Sequence, residues 1–307
     1  MKVLVTGSCG YKGSVLIPKL SRHEVTTLDI GWFGGNQDIQ KDIREFSGYR
    51  PYPEAIIHLA GIANDPCGEL DAKLTWEVNV LGTMRLAEWA VRSGVKQFIF
   101  ASSASVYGIH EGRELIETDQ LAPVSDYNKT KMCAERILLS YSDNMAIQII
   151  RPATVCGWSP RMRLDTMVNM LAYQALSTGQ ITAHCGEVGG DLMRPNIHID
   201  DITDLYVFML EHPNYTGIYN AGFENISALE TAKLIAKHIP AAINITQVKD
   251  KRNYRINSDK LLVTDFEPRF TVEDAIIQLK DKWHSGQLKA SDMTTNLTWM
   301  KINGWAT

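Results

Sequence analysis

Close to its start the chain runs from a short β-branched apolar stretch, Val3–Thr6, directly into Gly7-Ser8-Cys9-Gly10-Tyr11-Lys12-Gly13. A buried strand that ends in glycines spaced GxxGxxG and then opens a helix leaves few folds available. The glycines let the backbone turn tightly and come close to a ligand, and the start of the helix offers free N–H groups and the positive end of its dipole. The spacing alone is weak, because glycine-rich turns are common. Its position between a strand and a helix gives it weight.

The rest of the first half repeats the unit. Val25–Asp29, Ala55–Ala60, Phe98–Ser102 and Ala146–Arg151 read as strands. A helix through Val15, Leu16 and Leu20, a long one from about Ala72 to Arg92 closed by Ser93-Gly94, and a third from Ser125 to Tyr141 lie between them. Strands joined by helices of this length need right-handed crossovers, which place them in a parallel sheet covered on both faces. The expected fold class is therefore α/β, a Rossmann-type doubly wound parallel sheet over residues 1–155 with a smaller C-terminal α/β substrate lobe over 156–307. Segments at about 194–212 are expected to pack back on the first domain. In the second half, Thr166–Ser177, Asp200–Leu210 (after Asn196–Ile199), Ala228–His238 and Thr271–Lys280 read as helices, the last capped by Thr271 with Glu273-Asp274 in its first turn. The tail after Trp283 carries no clear pattern.

Composition narrows the function classes. A net charge of −4 gives no reason to expect a nucleic-acid or membrane partner. Five cysteines at wide spacings form neither a zinc pattern nor a disulfide framework, so no metal is expected and the thiols suit a cytoplasm. The apolar N-terminal run is too short for a signal peptide, and no stretch is long enough to cross a membrane.

Several residues have chemistry that fits this scaffold. Asp29 closes the second strand about twenty residues past the glycine turn, where a carboxylate accepts ribose hydroxyls and repels a 2′-phosphate, favouring NAD over NADP. Asp42-Ile43 either holds an adenine edge or is a solvated loop. Tyr127 and Lys131, four apart in a helix, share a face. A phenol ionises near about 10, too high for a base at neutral pH, but a nearby ammonium lowers it. Ser102-Ser103 at a strand end lies where doubly wound sheets bind ligands. His58 ends an apolar strand and reads as a satisfied cleft or core histidine. The tryptophans read as packing.

Jointly, TGSCGYKGS (6–14), LDI (28–30), HLAG (58–61), Asn79-Val80, ASSASVYG (101–108), PVSDYNKTK (123–131), RPATVCG (151–157) and RPNIHIDD (194–201) resemble, in order, an extended short-chain dehydrogenase/reductase of the NAD-dependent epimerase/dehydratase family. The resemblance implies that Gly7, Gly10 and Gly13, with the Tyr11 and Lys12 backbone, wrap the pyrophosphate of NAD. Asp29 and Ile30 would hold the adenosine ribose, Asp42 and Ile43 the adenine, and Leu59, Ala60, Gly61 and Asn79 the central cleft. It makes Ser103 the binder of a substrate hydroxyl, Tyr127 the base, Lys131 the ribose-binding cation that tunes it, and Pro152 a flank of the nicotinamide. Arg194 and Arg252 become substrate-diphosphate contacts, and the Arg161 and Arg163 side chains face either phosphate or solvent. Asn64-Asp65-Pro66 lies on the substrate side or forms a plain turn. A homodimer through helices near 72–92 and 126–141 is also implied.

Departures from the family's variants narrow the reaction. Dehydratases resembling this chain carry Asp-Glu after the catalytic serine or threonine, and double epimerase/reductases a cysteine; here Ala104 and Ser105 follow Ser103. The expectation is a nucleotide-sugar epimerase working by transient oxidation at a ring carbon, carbon 4. The alternatives are a 4-dehydrogenase or reductase without inversion and a non-catalytic NAD-binding scaffold.

Overall fold

Strands with apolar side chains at consecutive positions must be covered on both faces. The computed structural model describes residues 1–110, 112–186, 192–248 and 254–304 and covers them so. Its strands are β1 (Lys2–Thr6), β2 (Glu24–Asp29), β3 (Ile39–Gln40), β4 (Ala55–His58), β5 (Gln97–Ala101), β6 (Glu114–Leu115), β7 (Ala146–Pro152), β8 (Thr154–Cys156), β9 (Gln180–Gly186), β10 (Met193–His198), β11 (Gly217–Ala221), β12 (Glu224–Ser227), β13 (Ala242–Val248) and β14 (Arg255–Ile256). Seven form one parallel sheet in the order β11-β7-β5-β4-β1-β2-β3. The order reverses between β1 and β4, so the crevice at their carboxyl ends is the switch point.

Side chains alternate between the two faces, as strand geometry requires. Val3, Val5, Ile57, Ile99 and Ile150 join a core with Leu16 and with Ile202, Leu205 and Met209. Their neighbours Leu4, Ile56, Phe98, Phe100 and Ile149 pack against Leu86, Ala90, Ala134 and Leu138 on the other face. Each fully buried Val, Leu, Ile, Phe or Met among them contributes about 1.5–3 kcal/mol relative to exposure.

The helix Ile199–Glu211 packs beside Gly13–Lys19 on the first face, where Lys19 pairs with Asp200 at 3.0 Å and Asp204 at 2.7 Å. β11 then joins the large sheet beside β7 over Gly217–Ala221. The remaining strands form a three-stranded sheet β12-β10-β8 and the pairs β13-β9 and β14-β6. With them stand the helices Met167–Thr178, Ala228–His238 and Val272–His284, the last two opened by capping boxes from Ser227 with Glu230 and Thr271 with Asp274.

Two differences from the sequence reading shape the cleft. The long helix near 72–92 is Ala72–Trp76, a π-helical turn Glu77–Gly82, and Thr83–Arg92, preceded by a separate helix Asp65–Leu70. The wide turn accompanies the commitment of Asn79, whose amide oxygen accepts the Ile62 N–H at 2.8 Å and whose nitrogen donates to Ile62 O at 3.0 Å and Thr130 Oγ1 at 3.1 Å. The unpatterned tail forms the helix Asn296–Ile302 against Asp65–Leu70, with Trp299 stacked on Trp32 at 5.0 Å between ring centroids.

Candidate active site

The carboxyl ends of β1, β4, β5 and β7 open into a cavity of about 550 Å3 that also reaches the second lobe. Its floor is the glycine turn. Gly7 has φ +73°, and a Cβ there would lie 2.6 Å from Ala60 N, so only glycine lets the turn pass the β4 loop. A Cβ on Gly13 would lie 2.4 Å from both Gly7 O and Ser8 O, so a side chain would push the helix off the turn. Tyr11 ties this cradle to the second lobe, its hydroxyl donating to Gly157 O at 2.7 Å and receiving Asn169 Nδ2 at 3.0 Å. Ser159 Oγ donates to Tyr11 O at 2.8 Å.

Asp29 lies behind the turn, accepting the Cys9 N–H at 3.0 Å and the Gly31 N–H at 2.8 Å. Each carboxylate oxygen keeps a further lone pair, and two bonded N–H groups fix its orientation, so a ribose diol fits this acceptor and a 2′-phosphate is repelled. Gly7, Gly10, Tyr11, Lys12, Gly13, Leu59, Gly61 and Pro152 all line the cavity, and the cradle fits a dinucleotide. The Lys12 ammonium donates to the Tyr206 hydroxyl at 3.3 Å and is pulled down to about 7 by burial, with Lys131 and Arg163 adding repulsion.

The catalytic candidates share one wall. Ser103 follows β5 by two residues and caps the 3-10 turn Ala104–Tyr107, and Tyr127 and Lys131 project from the helix Asp126–Leu139, whose cap Ser125 donates to Asp65 Oδ1 at 2.6 Å. Desolvation pushes the Tyr127 phenol up to about 12, and its side chain is hydrogen-bonded with that of Ser103. Lys131 donates to Ala101 O at 2.9 Å, with its ammonium 4.8 Å from the centre of the Phe100 ring. Burial pulls it down to about 8, opposed by the Glu135 carboxylate. Beneath this wall Glu135 receives Arg151 Nε at 3.0 Å and Nη2 at 2.7 Å, and Ser102 donates to the same carboxylate. Arg151 and Glu135 are 2% and 1% exposed, so this ion pair is a buried brace under the serine and lysine.

Basic side chains line the cavity as well. Arg161, Arg163 and Arg194 join Lys12 and Lys131, five basic side chains against two carboxylates, Asp65 and Asp165, among the described lining residues. Asp165 holds Arg163 Nε at 2.9 Å and accepts Asn64 Nδ2 at 3.0 Å and the Asn296 N–H at 3.2 Å. Arg161 lies 3.6 Å over the Phe33 ring and donates to Asn296. Thr295, Asn296 and Leu297 from the tail line the cavity, and Asn64, Asp65 and Pro66 line it too.

Other sequence candidates lie elsewhere. Asp29, Ile30, Asp42, Ile43, Ala60 and Asn79 are outside the cavity lining, and Arg252 lies outside the described residues. The Asp42 carboxylate caps the turn Ile43–Glu45 through the Arg44 N–H at 2.8 Å and pairs with the Arg44 guanidinium, so it is engaged rather than solvated. Ile43 is buried in the core. His58 bridges Thr6 Oγ1 at 2.6 Å and Thr83 Oγ1 at 2.9 Å, and burial holds it down to about 3, so it is a core histidine. Sequence reasoning missed Phe33, Ser105, Asn128 and the tail. The tail's apolar residues, Leu297 and Met300 among them, are too few to announce its helix.

A model of the NAD dependent epimerase/dehydratase family matches residues 3–222. The chain belongs to that family. Its members are NAD-dependent enzymes, in keeping with the glycine cradle and Asp29. Among curated relatives, the UDP-glucose 4-epimerase of Lactobacillus helveticus is 24% identical over 94% of this chain and 98% of its own length. The UDP-glucose 4-epimerase of Mycolicibacterium smegmatis is 31% identical over 67% of this chain and 72% of its own. The UDP-glucose 4-epimerase of Thermus thermophilus in complex with NAD shares the fold with a TM-score of 0.80 at 24% identity, covering 91% of this chain and 99% of that one. The UDP-glucuronic acid 4-epimerase of Bacillus cereus, solved with NAD, has a TM-score of 0.80 at 25% identity, covering 92% and 99%. Among the described residues no helix is long and apolar enough to cross a membrane.

Proposed function

We propose that this epimerase/dehydratase-family enzyme inverts a ring carbon, carbon 4, of a nucleotide-linked sugar. The observation that carries the reading is the meeting of Ser103, Tyr127 and Lys131 on one wall of a cavity whose floor is the glycine cradle. The excess of basic side chains, Arg161, Arg163 and Arg194 among them, suits ligands that bring diphosphates. The UDP-glucose 4-epimerases among its relatives support the same substrate class.

NAD, when bound, would supply the hydride acceptor and donor. Gly7, Gly10 and Gly13 would hold its pyrophosphate, Asp29 its adenosine ribose and Lys131 its nicotinamide ribose. Tyr127 takes the proton from the sugar hydroxyl and gives it back, and the Lys131 ammonium lowers the cost of the phenolate. Ser103 positions the reacting oxygen. Ala104, fully buried, and Ser105 offer no carboxylic acid to expel water, which disfavours dehydration. The Ser103 set also serves a 4-dehydrogenase, and inversion requires the oxidised sugar to present its other face.

The expected molecule is a cytoplasmic homodimer of two such sites, a reading supported by five free thiols and by Leu81, exposed just ahead of the helix Thr83–Arg92. The test is to offer UDP-, GDP-, dTDP- and CDP-linked sugars to the NAD-loaded protein and separate the sugar products. A 4-epimer from one of them is expected, lost in Tyr127→Phe with NAD still bound. Net oxidation without an epimer points to the dehydrogenase, and no change of any sugar refutes the enzyme reading.

A further inference from the structure

Ser103 is the first of three linked polar side chains. Its Oγ accepts the Ser105 N–H at 3.3 Å, capping the 3-10 turn Ala104–Tyr107, and lies 2.7 Å from Ser105 Oγ. The Ser105 hydroxyl donates to Asn128 Oδ1. Asn128 follows Tyr127 in its helix, is 2% exposed, and is anchored by its N–H to Ser125 Oγ at 3.2 Å. Ser105 lines the cavity, whereas Asn128 stands behind it.

The direction of these bonds follows from donor and acceptor capacity. An amide oxygen only accepts, and a serine has one proton. With its proton on Asn128, Ser105 has only lone pairs for Ser103, so Ser103 donates to Ser105. Ser103 then turns lone pairs, not a proton, toward the cavity and Tyr127. In this state it accepts from an alcohol. A ketone oxygen needs a donor instead, which Ser103 becomes only if the chain reverses. A half-turn of the Asn128 amide achieves that: its NH2 group donates to Ser105, Ser105 donates to Ser103, and the Ser103 proton points into the cavity. No bond to carbon forms or breaks, and each hydroxyl keeps one proton throughout.

We propose that Ser105 and Asn128 are positioning residues that set whether Ser103 accepts or donates a hydrogen bond, one direction fitting the alcohol and the other the oxidised form of the substrate. The proposal rests on the alcohol-oxidising reading above, but its physical core is tested without substrate. In NAD-loaded protein, ionisation of Tyr127 is followed by tyrosinate difference absorbance against Tyr127→Phe. Ser105→Ala frees the Ser103 proton to donate to the phenolate, so Tyr127 is expected to ionise about one pKa unit lower, with about tenfold more phenolate at a given pH. Ser105→Thr keeps the hydroxyl and is expected to titrate with the native protein. Asn128→Asp, whose carboxylate only accepts, fixes the first direction and moves the titration up. If Ser105→Ala and Asn128→Asp both titrate with the native protein, the relay is refuted even where sugars are epimerised. If the shifts occur but no nucleotide-sugar is turned over, the relay stands and the epimerase reading falls.

Discussion

Replacing Glu135 by Gln removes the carboxylate that holds Arg151 in a site where the guanidinium is 2% exposed. Arg151 keeps its bonds to Tyr107 at 2.8 Å and Glu117 O at 3.3 Å, but its charge loses its partner. Breaking a buried pair from one side typically costs about 3–5 kcal/mol, because the other ion stays buried and uncompensated. The same carboxylate raises Lys131, which burial even so depresses to about 8. If Lys131 falls by about one further pKa unit, its charged fraction at pH 7 drops from about nine-tenths to about half. Lys131 is charged below its pKa and neutral above it, so the alkaline limb of the activity profile should move to lower pH. Urea unfolding of Glu135→Gln is expected to show the stability loss, and a pH–rate profile the earlier alkaline decline. The double replacement Glu135→Leu/Arg151→Met removes both charges and should recover most of the stability while leaving the alkaline limb displaced. A single variant within about 1 kcal/mol of the native protein, or a double variant no more stable than the single, would refute the brace.

His58 is held near 3 by burial, against 6.5 for a free imidazole, so the unfolded chain takes up a proton that the folded one refuses. Its contribution is complete above pH 6.5 and is lost as pH falls toward 3, with an upper bound of about 4–5 kcal/mol. His58→Asn should flatten the acid side of a stability–pH curve, and an unchanged slope would contradict this. Asp29→Ala takes the acceptor from the Cys9 and Gly31 N–H groups, at about 1–3 kcal/mol each where they stay dry, and from the ribose. Calorimetry should show weaker NAD binding and less exclusion of NADP; an unaltered cofactor preference would remove Asp29 from the ribose.

The parts of the site that the sequence made legible are those whose geometry is spelt out by consecutive residues. Gly7 and Gly13 are glycines because their own backbone cannot carry a Cβ, and Tyr127 and Lys131 meet because four residues make about one helical turn. The two acidic residues weighed for the adenosine end differ in what holds them. Asp29 is oriented by two backbone N–H groups beside the cradle, whereas Asp42 is taken by Arg44 two residues away, a competitor that the sequence displayed but that only the turn geometry made decisive.

The rest was hidden because it depends on distant segments meeting. Asp165 joins Asn64, Arg163 and Asn296, partners drawn from three parts of the chain, and each reads separately as an ordinary loop polar residue. The tail is the extreme case. Its helix Asn296–Ile302 is seven residues long, too short to be stable alone, and its apolar residues announce no period until Trp32 and the helix Asp65–Leu70 give them a surface. Ser105 and Asn128 stayed hidden for a different reason. Each lies beside a residue with an evident role, and small polar side chains in that position look like spacing. Only when a strand end and a helix start are brought together does the direction of a hydrogen bond become a property of the site. Local chemistry therefore marked residues that meet at the cavity, while tertiary contact decides how the polar side chains around them are paired.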